Sequence, residues 1–371
     1  VFHAVPEVFR TGIAFLVVLG VLVFVHELGH YLAARWCGVH VDVFSIGFGR
    51  AIVTWRDRVG TVWKLAWLPL GGYVKLHGQE RPEDVSPEVR AGWISGRTFH
   101  EKEVAKRAIV VAAGPIANFL LAMVLFAGLF AVAGRPLMLP VAGDVLADSA
   151  AARAGVQAND RITAISGQPV RSFEDIQRII AAHPDEHMVL TVRRGDTALD
   201  LPVLTDARDA GGGQRVGMLG IRGGKMEFEK VSVPQAIWGG VQQTWQVSVD
   251  TLAGVGEMLS GRRGTEDLGG PLRIAELSGQ VAQLGVASMI TFIALLSVNL
   301  GLINLFPIPV LDGGHLLFYL AEAIRGRPIS PRAQEYGFRA GLALLAGLFI
   351  FATWNDLAHL GIFHWVARLI G

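Results

Sequence analysis

Apolar residues in this chain gather into long runs, separated by segments of different texture. The first run, Ile13 to Val25, is thirteen residues without a charge. Its helical pattern continues through His26-Glu27-Leu28-Gly29-His30 to Ala34, so Thr11 to Ala34 makes 24 residues. At ~1.5 Å per residue that length crosses a hydrocarbon core of ~30 Å. No basic stretch precedes it, so a spanning helix is expected rather than a signal peptide. The second run, Ala108 to Ala133, is broken only by Gly114-Pro115 and Asn118. The third, Ala287 to Phe306, holds Ser297, Asn299 and Asn304. The fourth goes from Phe338 to about Trp354, with Arg339 at its start.

Between the first two runs the period shortens. Val41, Val43, Phe44, Ile46, Val62 and Leu65 suit strands, and Gly47, Gly49, Gly71 and Gly72 allow close backbone approach. From Pro140 onward the text turns globular. Val141 to Val145 predicts a strand, and Ser149 caps a short helix that Gly155 stops. Asn159 to Val170 predicts turn, strand and turn. Ser172 caps a helix from Phe173 to Ala182, and Met188 to Arg193 is a strand. Pro234 to Leu259 has helical content, with Trp238 and Trp245 seven apart and suited to a membrane interface.

Composition supports a membrane protein. Of 371 residues, 51% are hydrophobic and only 18% charged, against roughly 25% charged in soluble domains. A net charge of +1 with no basic face gives no reason to expect nucleic acid as a partner. The one cysteine, Cys37, allows no internal disulfide. Residues 35–107 hold twelve Lys or Arg, while Arg10 alone precedes the first run. By the positive-inside bias, 35–107 is cytoplasmic. The N-terminus, the 134–285 segment and the C-terminus are then outside. The 309–337 segment, with Arg325, Arg327 and Arg332, is inside.

The chemistry lies in His26-Glu27-Leu28-Gly29-His30, an H-E-x-x-H. Residues i and i+4 share a helix face, so both imidazoles can reach one ion, and Glu27 is placed to deprotonate a water there. Zinc suits nitrogen and oxygen donors and lowers the pKa of its water to ~7. Three ionisable groups inside a spanning helix are costly and by default functional. A catalytic zinc needs a third protein ligand. His183 and His187 are four apart but flank Pro184, which disfavours a helical pair. Asp312, just past the third run and on the same side as the histidines, is the better candidate, and His315 competes with it.

These motifs carry a resemblance. His26-Glu27-Leu28-Gly29-His30 in a first spanning helix, with Asn304, Pro307, Pro309 and Leu311-Asp312-Gly313 near the end of a third, is similar to the site-2 protease family. The likeness is to its bacterial regulator-of-sigma-E protease type and covers nearly the whole chain. Gly114-Pro115-Ile116-Ala117-Asn118 matches the family's G-P-x-x-N element. Ser45 to Gly49 and Leu70 to Lys75 match its membrane-associated hairpin region. The resemblance implies an intramembrane zinc endopeptidase with one zinc per chain, held by His26, His30 and Asp312, and with Glu27 as base. Asn304, Pro307 and Pro309 would position the substrate backbone. The 40–80 segment, with Gly47, Gly49, Gly71 and Gly72, would meet the unwound substrate as an edge strand. Expected substrates are single-pass membrane proteins already clipped outside, such as anti-sigma factors, or remnant signal peptides. The expected location is the bacterial cytoplasmic (inner) membrane, with the active site towards the cytoplasm and the chain a monomer in the lipid bilayer.

The soluble segment resembles a bacterial-protease PDZ domain, with Leu219-Gly220-Ile221 as a candidate peptide-carboxylate loop. One such repeat is visible where the best-known proteins of this type carry two. The expected class is a polytopic α-helical membrane protein with four transmembrane helices, a membrane-associated β-hairpin region and one extracytoplasmic PDZ-like α+β domain. The expected division is as follows: 1–36, first transmembrane helix; 37–103, β region; 104–135, second helix; 136–225, PDZ-like domain; 226–285, connector with an amphipathic helix; 286–308, third helix; 309–337, cytoplasmic loop; and 338–371, fourth helix and C-terminus. Two other functions compete: a membrane PDZ scaffold with a structural metal, and a metal transporter. Neither needs a carboxylate beside the first ligand. A transporter is expected to show repeated halves or polar residues in several spans, whereas here they concentrate in two.

Overall fold

The computed structural model describes residues 7–80, 85–209, 215–262, 264 and 269–359. Residues 360–371, the end of the expected last segment, lie outside the described residues. The chain divides into two compact units, Val1–Leu129 with Ile237–Gly371, and Phe130–Ala236.

In the first unit α1 spans Glu7–Trp36. Its buried residues Ala14, Val18, Leu22 with Val23, Glu27, Tyr31 and Ala34 recur every three or four positions and so form one stripe. Val8, Phe9, Ile13, Val17 and Leu32 are exposed on the rest of the surface. β1 (Val41–Arg56) and β2 (Val62–Leu76) follow, paired antiparallel. Each folds back on itself near its glycines. Val43 to Ile46 are matched with Lys75 to Gly72 on one side and with Val62 to Leu65 on the other, while Ala51 to Arg56 are matched with Ala66 to Val62. The expected hairpin is therefore a more compact sheet, in which Gly72 to Leu76 form one edge. Gly47, at φ 89°, makes one of the bends, and a Cβ there would lie 2.9 Å from the carbonyls of Ala66 and Leu68. A core of Tyr31, Ala34, Val39, Val41, Phe44, Leu76, Phe99 and Val110 fastens this sheet to α1 and to the start of α3. Short α2 (Pro87–Ala91) precedes α3 (Val104–Ala133), which carries Pro115 inside it.

The second unit contains β3 (Arg135–Met138), β4 (Ala142–Val145), α4 (Ala150–Arg153), β5 (Arg161–Ile165), β6 (Gln168–Pro169) and α5 (Phe173–Ala181). It continues with β7 (His187–Arg194), β8 (Thr197–Leu204), β9 (Asp206–Asp209), β10 (Arg215–Met218), β11 (Ile221–Gly223) and β12 (Met226–Glu229). One sheet has the order β6-β5-β7-β8, and the pairs β9/β10, β4/β11 and β3/β12 complete the unit. Ser172 and Asp175 form a capping box at the start of α5, and Ser149 Oγ accepts from Ala152 N at α4. Ile162, Ile165, Phe173, Ile176, Ile180, Leu190, Val192 and Leu219 fill the core. Because β12 pairs with β3, this unit runs past the expected boundary at residue 225.

The remaining helices return to the first unit: α6 (Val233–Leu259), α7 (Pro271–Gln283), α8 (Val286–Leu305), α9 (Asp312–Arg325) and α10 (Pro331–His359). The expected 226–285 connector with one amphipathic helix holds two, α6 and α7. The segment 309–337, expected as a loop, is mostly helical. α9 starts at Asp312 and ends at Gly326, whose φ of 69° makes a left-handed cap, and α10 begins five residues later at Pro331. The glycine stop and proline start were legible signals that the surrounding charges masked. Among the described residues four helices are long and apolar enough to cross a membrane: α1, α3, α8 and α10 up to Leu357. Val18, Leu22 and Ile293 pack α1 on α8, with Leu121 and Leu125 of α3 beside them.

Candidate active site and metal centre

α1 and α3 touch where both have small residues. A Cβ on Gly29 would lie 2.3 Å from the Ala113 carbonyl oxygen, and one on Gly114 would lie 2.3 Å from His30 Nε2 and 2.9 Å from His26 Cε1. Glycine at these positions leaves the imidazoles their space. The third contributor arrives on α9. Cβ atoms on Gly313 and Gly314 would run into the carbonyls of Leu305, Phe306 and Ile308, so the two glycines let α9 fold back tightly on the end of α8. This turn brings Asp312, at the first position of α9, to the histidines. Arg107 of α3 holds α9 from its far end, paired with Glu322 at 2.6 Å and lying over the Tyr319 ring at 5.0 Å.

The geometry at the centre fits a metal. His26 Nε2 lies 3.3 Å from His30 Nε2 and 3.3 Å from Asp312 Oδ2, and His30 Nε2 lies 3.4 Å from Asp312 Oδ2. In a zinc tetrahedron with bonds of ~2.0–2.1 Å, ligand atoms stand ~3.3–3.4 Å apart, so these three distances are those of one face. Asp312 Oδ2 is buried without a hydrogen-bond partner, a state that a cation would relieve. Burial works to raise the Asp312 carboxyl, but the close approach and charge of His26 and His30 outweigh it and hold the pKa at about 2. Asp312 is thus an anionic donor. His30 Nδ1 lies 2.9 Å from the Val110 carbonyl, which requires the ring proton on Nδ1 and turns Nε2 inward. Among the described residues, His26, His30 and Asp312 form the one group of histidine, cysteine and carboxylate side chains able to share an ion.

Glu27 is buried beside the histidines. A Cβ on Gly72 would lie 2.9 Å from Glu27 Cγ and 2.7 Å from the Ser45 carbonyl oxygen. The Glu27 side chain therefore packs against the Gly72 edge of the sheet. Gly71 faces the Phe48 ring, while nothing crowds Gly49 at φ 87°. Asn304 donates to the Leu300 carbonyl of its own helix at 3.0 Å. Pro307 and Pro309 lie in the turn between α8 and α9, and α10 rests on Pro309 at Gly337 and Gly341. His315 stays outside the three-donor group. Its ring packs on Phe338 at 5.2 Å, and burial lowers its pKa. His183 bonds the Ile179 carbonyl and His187 opens β7, so they do not form a site. In the second unit the Leu219 and Gly220 carbonyls accept from Ala151 N and Leu146 N, and Ile221 begins β11. Sequence reasoning weighed Asn118 and Gly114 only as parts of a motif. Their contact with the histidines was signalled by a polar residue and a glycine four apart in an apolar run.

Comparison with known proteins agrees. The profile described as peptidase family M50 matches residues 14–348. A candidate zinc metalloprotease of Rhizobium meliloti is 44% identical over 360 residues, covering 92% of this chain and 95% of its own. One of Agrobacterium fabrum is 44% identical over 366 residues, covering 95% and 97%. The metalloprotease MmpA of Caulobacter vibrioides is 37% identical, covering 96% and 98%. Among solved structures, the PDZ domain of the SdrC-like protein of Listeria monocytogenes is 23% identical, covers 24% of this chain and 85% of its own, and has a TM-score of 0.19. With a profile match over most of its length and relatives covered nearly end to end, the chain belongs to peptidase family M50, the site-2 protease family of zinc metalloproteases.

Proposed function

We propose that this zinc metalloprotease is an intramembrane endopeptidase. It would hold one zinc per chain through His26, His30 and Asp312 and cut transmembrane segments of single-pass proteins. The observation that carries the reading is the position of Glu27, buried in a spanning helix next to His26 and packed against the Gly72 edge of the sheet, with three donor atoms converging at that helix. When bound, zinc supplies Lewis-acid polarisation of a carbonyl and lowers the pKa of water to ~7. Glu27 takes the proton of the attacking water and returns it to the leaving amine. The substrate enters extended, because a helix hides its peptide bonds. Gly72 to Val74 are paired with β1 on one side only among the described residues, so their other edge suits an added strand. Asn304, Pro307 and Pro309 line the turn on the Asp312 side and would position that strand.

The basic 35–107 segment supports a cytoplasmic site in a bacterial inner membrane, with the second unit outside. That unit would act as a PDZ-like filter admitting substrates already clipped outside, such as anti-sigma factors or remnant signal peptides. Its loop Leu219-Gly220-Ile221 is the candidate carboxylate binder, and the chain would act as a monomer. Deleting residues 140–222 is expected to leave zinc in place and make cleavage less selective.

The test is turnover of a tagged single-pass substrate by native chain and Glu27→Gln, with zinc quantified on the same samples. Glutamine keeps the shape but cannot take the proton, so cleavage should fall at least ~100-fold with zinc retained. Near-normal turnover by zinc-loaded Glu27→Gln would defeat the mechanism.

A further inference from the structure

We infer that Asn118 is the positioning residue for His26, accepting the imidazole Nδ1–H and so aiming Nε2 at the metal. The inference rests on the reading of His26, His30 and Asp312 as zinc ligands. A neutral imidazole that offers its Nε2 lone pair to a metal carries its proton on Nδ1 and needs an acceptor there. For His30 the acceptor is the Val110 carbonyl at 2.9 Å. Two turns further along α3, the Asn118 amide fills the same place for His26, with Nδ2 at 3.2 Å from Nδ1. The Asn118 side chain is fully buried, and its Oδ1 has no partner. Amide nitrogen and oxygen are alike in shape, and their assignment follows the proton of the ring they face. With Nε2 committed to the metal, a half-turn of the amide puts Oδ1 where His26 Nδ1–H points. The backbone at this position is also held, since Ser297 Oγ of α8 donates to the Asn118 carbonyl at 2.8 Å. One helix thus orients both histidines, one through backbone and one through side chain.

A packing role and an acceptor role predict opposite rankings of variants. Leucine has asparagine's branching and number of side-chain heavy atoms, though more bulk, so a mere filler suffers less from Asn118→Leu than from the buried carboxylate of Asn118→Asp. An acceptor is lost in Asn118→Leu and kept in Asn118→Asp. The measurement is zinc affinity of the purified full-length chain in detergent, by competition with a chelator. His26→Ala serves as the control for the ligand assignment. Asn118→Leu should bind zinc ~10–100-fold more weakly, and Asn118→Asp at least as tightly as the native chain. If Asn118→Leu does not fold, Asn118→Ala takes its place and must bind more weakly than Asn118→Asp. Zinc binding by Asn118→Leu or Asn118→Ala as tight as that of Asn118→Asp overturns the inference, provided His26→Ala has lost the metal. Retention of zinc by His26→Ala overturns the ligand assignment itself.

Discussion

The two units use the same residue types in opposite ways. In the second unit apolar side chains point inward: Ile162, Ile165, Leu190 and Val192 are fully buried around one core. In the first, only 22% of the residues in each spanning stretch of α1, α3 and α8, and 6% in α10, are buried. Most of their large apolar side chains face outward, and glycines and polar groups meet inside beside a few buried ones such as Val18, Leu22 and Ile293. Glycine follows the same division. Gly155, Gly167 and Gly195 have positive φ with open space around them, so they serve turns. Gly29, Gly114, Gly313, Gly314 and Gly341 are crowded, so they serve contact between backbones and side chains. The difference follows from the solvent. Water drives apolar surface together, whereas lipid does not, and helices in lipid associate through close approach and polar contacts.

The comparison can be broken most severely at Gly114. Gly114→Ala puts a methyl within 2.3 Å of His30 Nε2. Zinc affinity should fall by more than the ~10–100-fold typical of losing a supporting group. Zinc retention at the native level after chelator dialysis would show that the two helices can part. Next comes the contrast of faces. Leu190→Ala, in the second core, should cost about 2–5 kcal/mol. Val124→Ala, 67% exposed on α3, should stay within about 0.5 kcal/mol. Hydrogen exchange on the full chain, read in β7 and α3, separates the two, and equal costs would refute the division of solvents. Smaller still is Gly167→Ala. Ser166 and Gly167, at φ 46° and 80°, form the two-residue turn between β5 and β6, and alanine there should cost about 1–2 kcal/mol through strain alone. An unchanged exchange rate in β5 would count against that account.

The mildest effect is confined to acid pH. Asp160 is buried, and hydrogen bonds from Arg194 at 2.8 and 2.7 Å hold its carboxyl below the usual range, aided by Gln157 N and opposed by burial. The unfolded chain, with an ordinary carboxylate near ~3.9, binds the proton first as pH falls. The stabilisation is therefore complete above that value and is lost as pH drops through the depressed native one. Asp160→Asn should lack this acid-dependent component in β5 and β7 exchange. Parallel pH curves for native chain and variant would rule it out.

The sequence by itself determined what depends on local spacing. Apolar runs of spanning length marked α1, α3, α8 and α10 because a bilayer demands a long enough stretch of apolar residues, which is a local property. The spacing of His26, Glu27 and His30 placed two donors and a carboxylate on one helix because four residues make about one turn. Ser149 and Ser172 announced their helices because a cap is satisfied within three residues. Asp312 was legible as a carboxylate on the histidines' side of the third run and through its motif, but nothing local says that a residue 282 positions from His30 will meet it. Tertiary structure decided that meeting, through the tight α8–α9 turn at Gly313 and Gly314. It also decided that β1 and β2 fold back on themselves and that Asn118 faces His26. Each of these is a contact between segments far apart in the chain. Such a contact depends on which backbones can approach, a property of pairs of helices and strands that no single stretch of sequence contains.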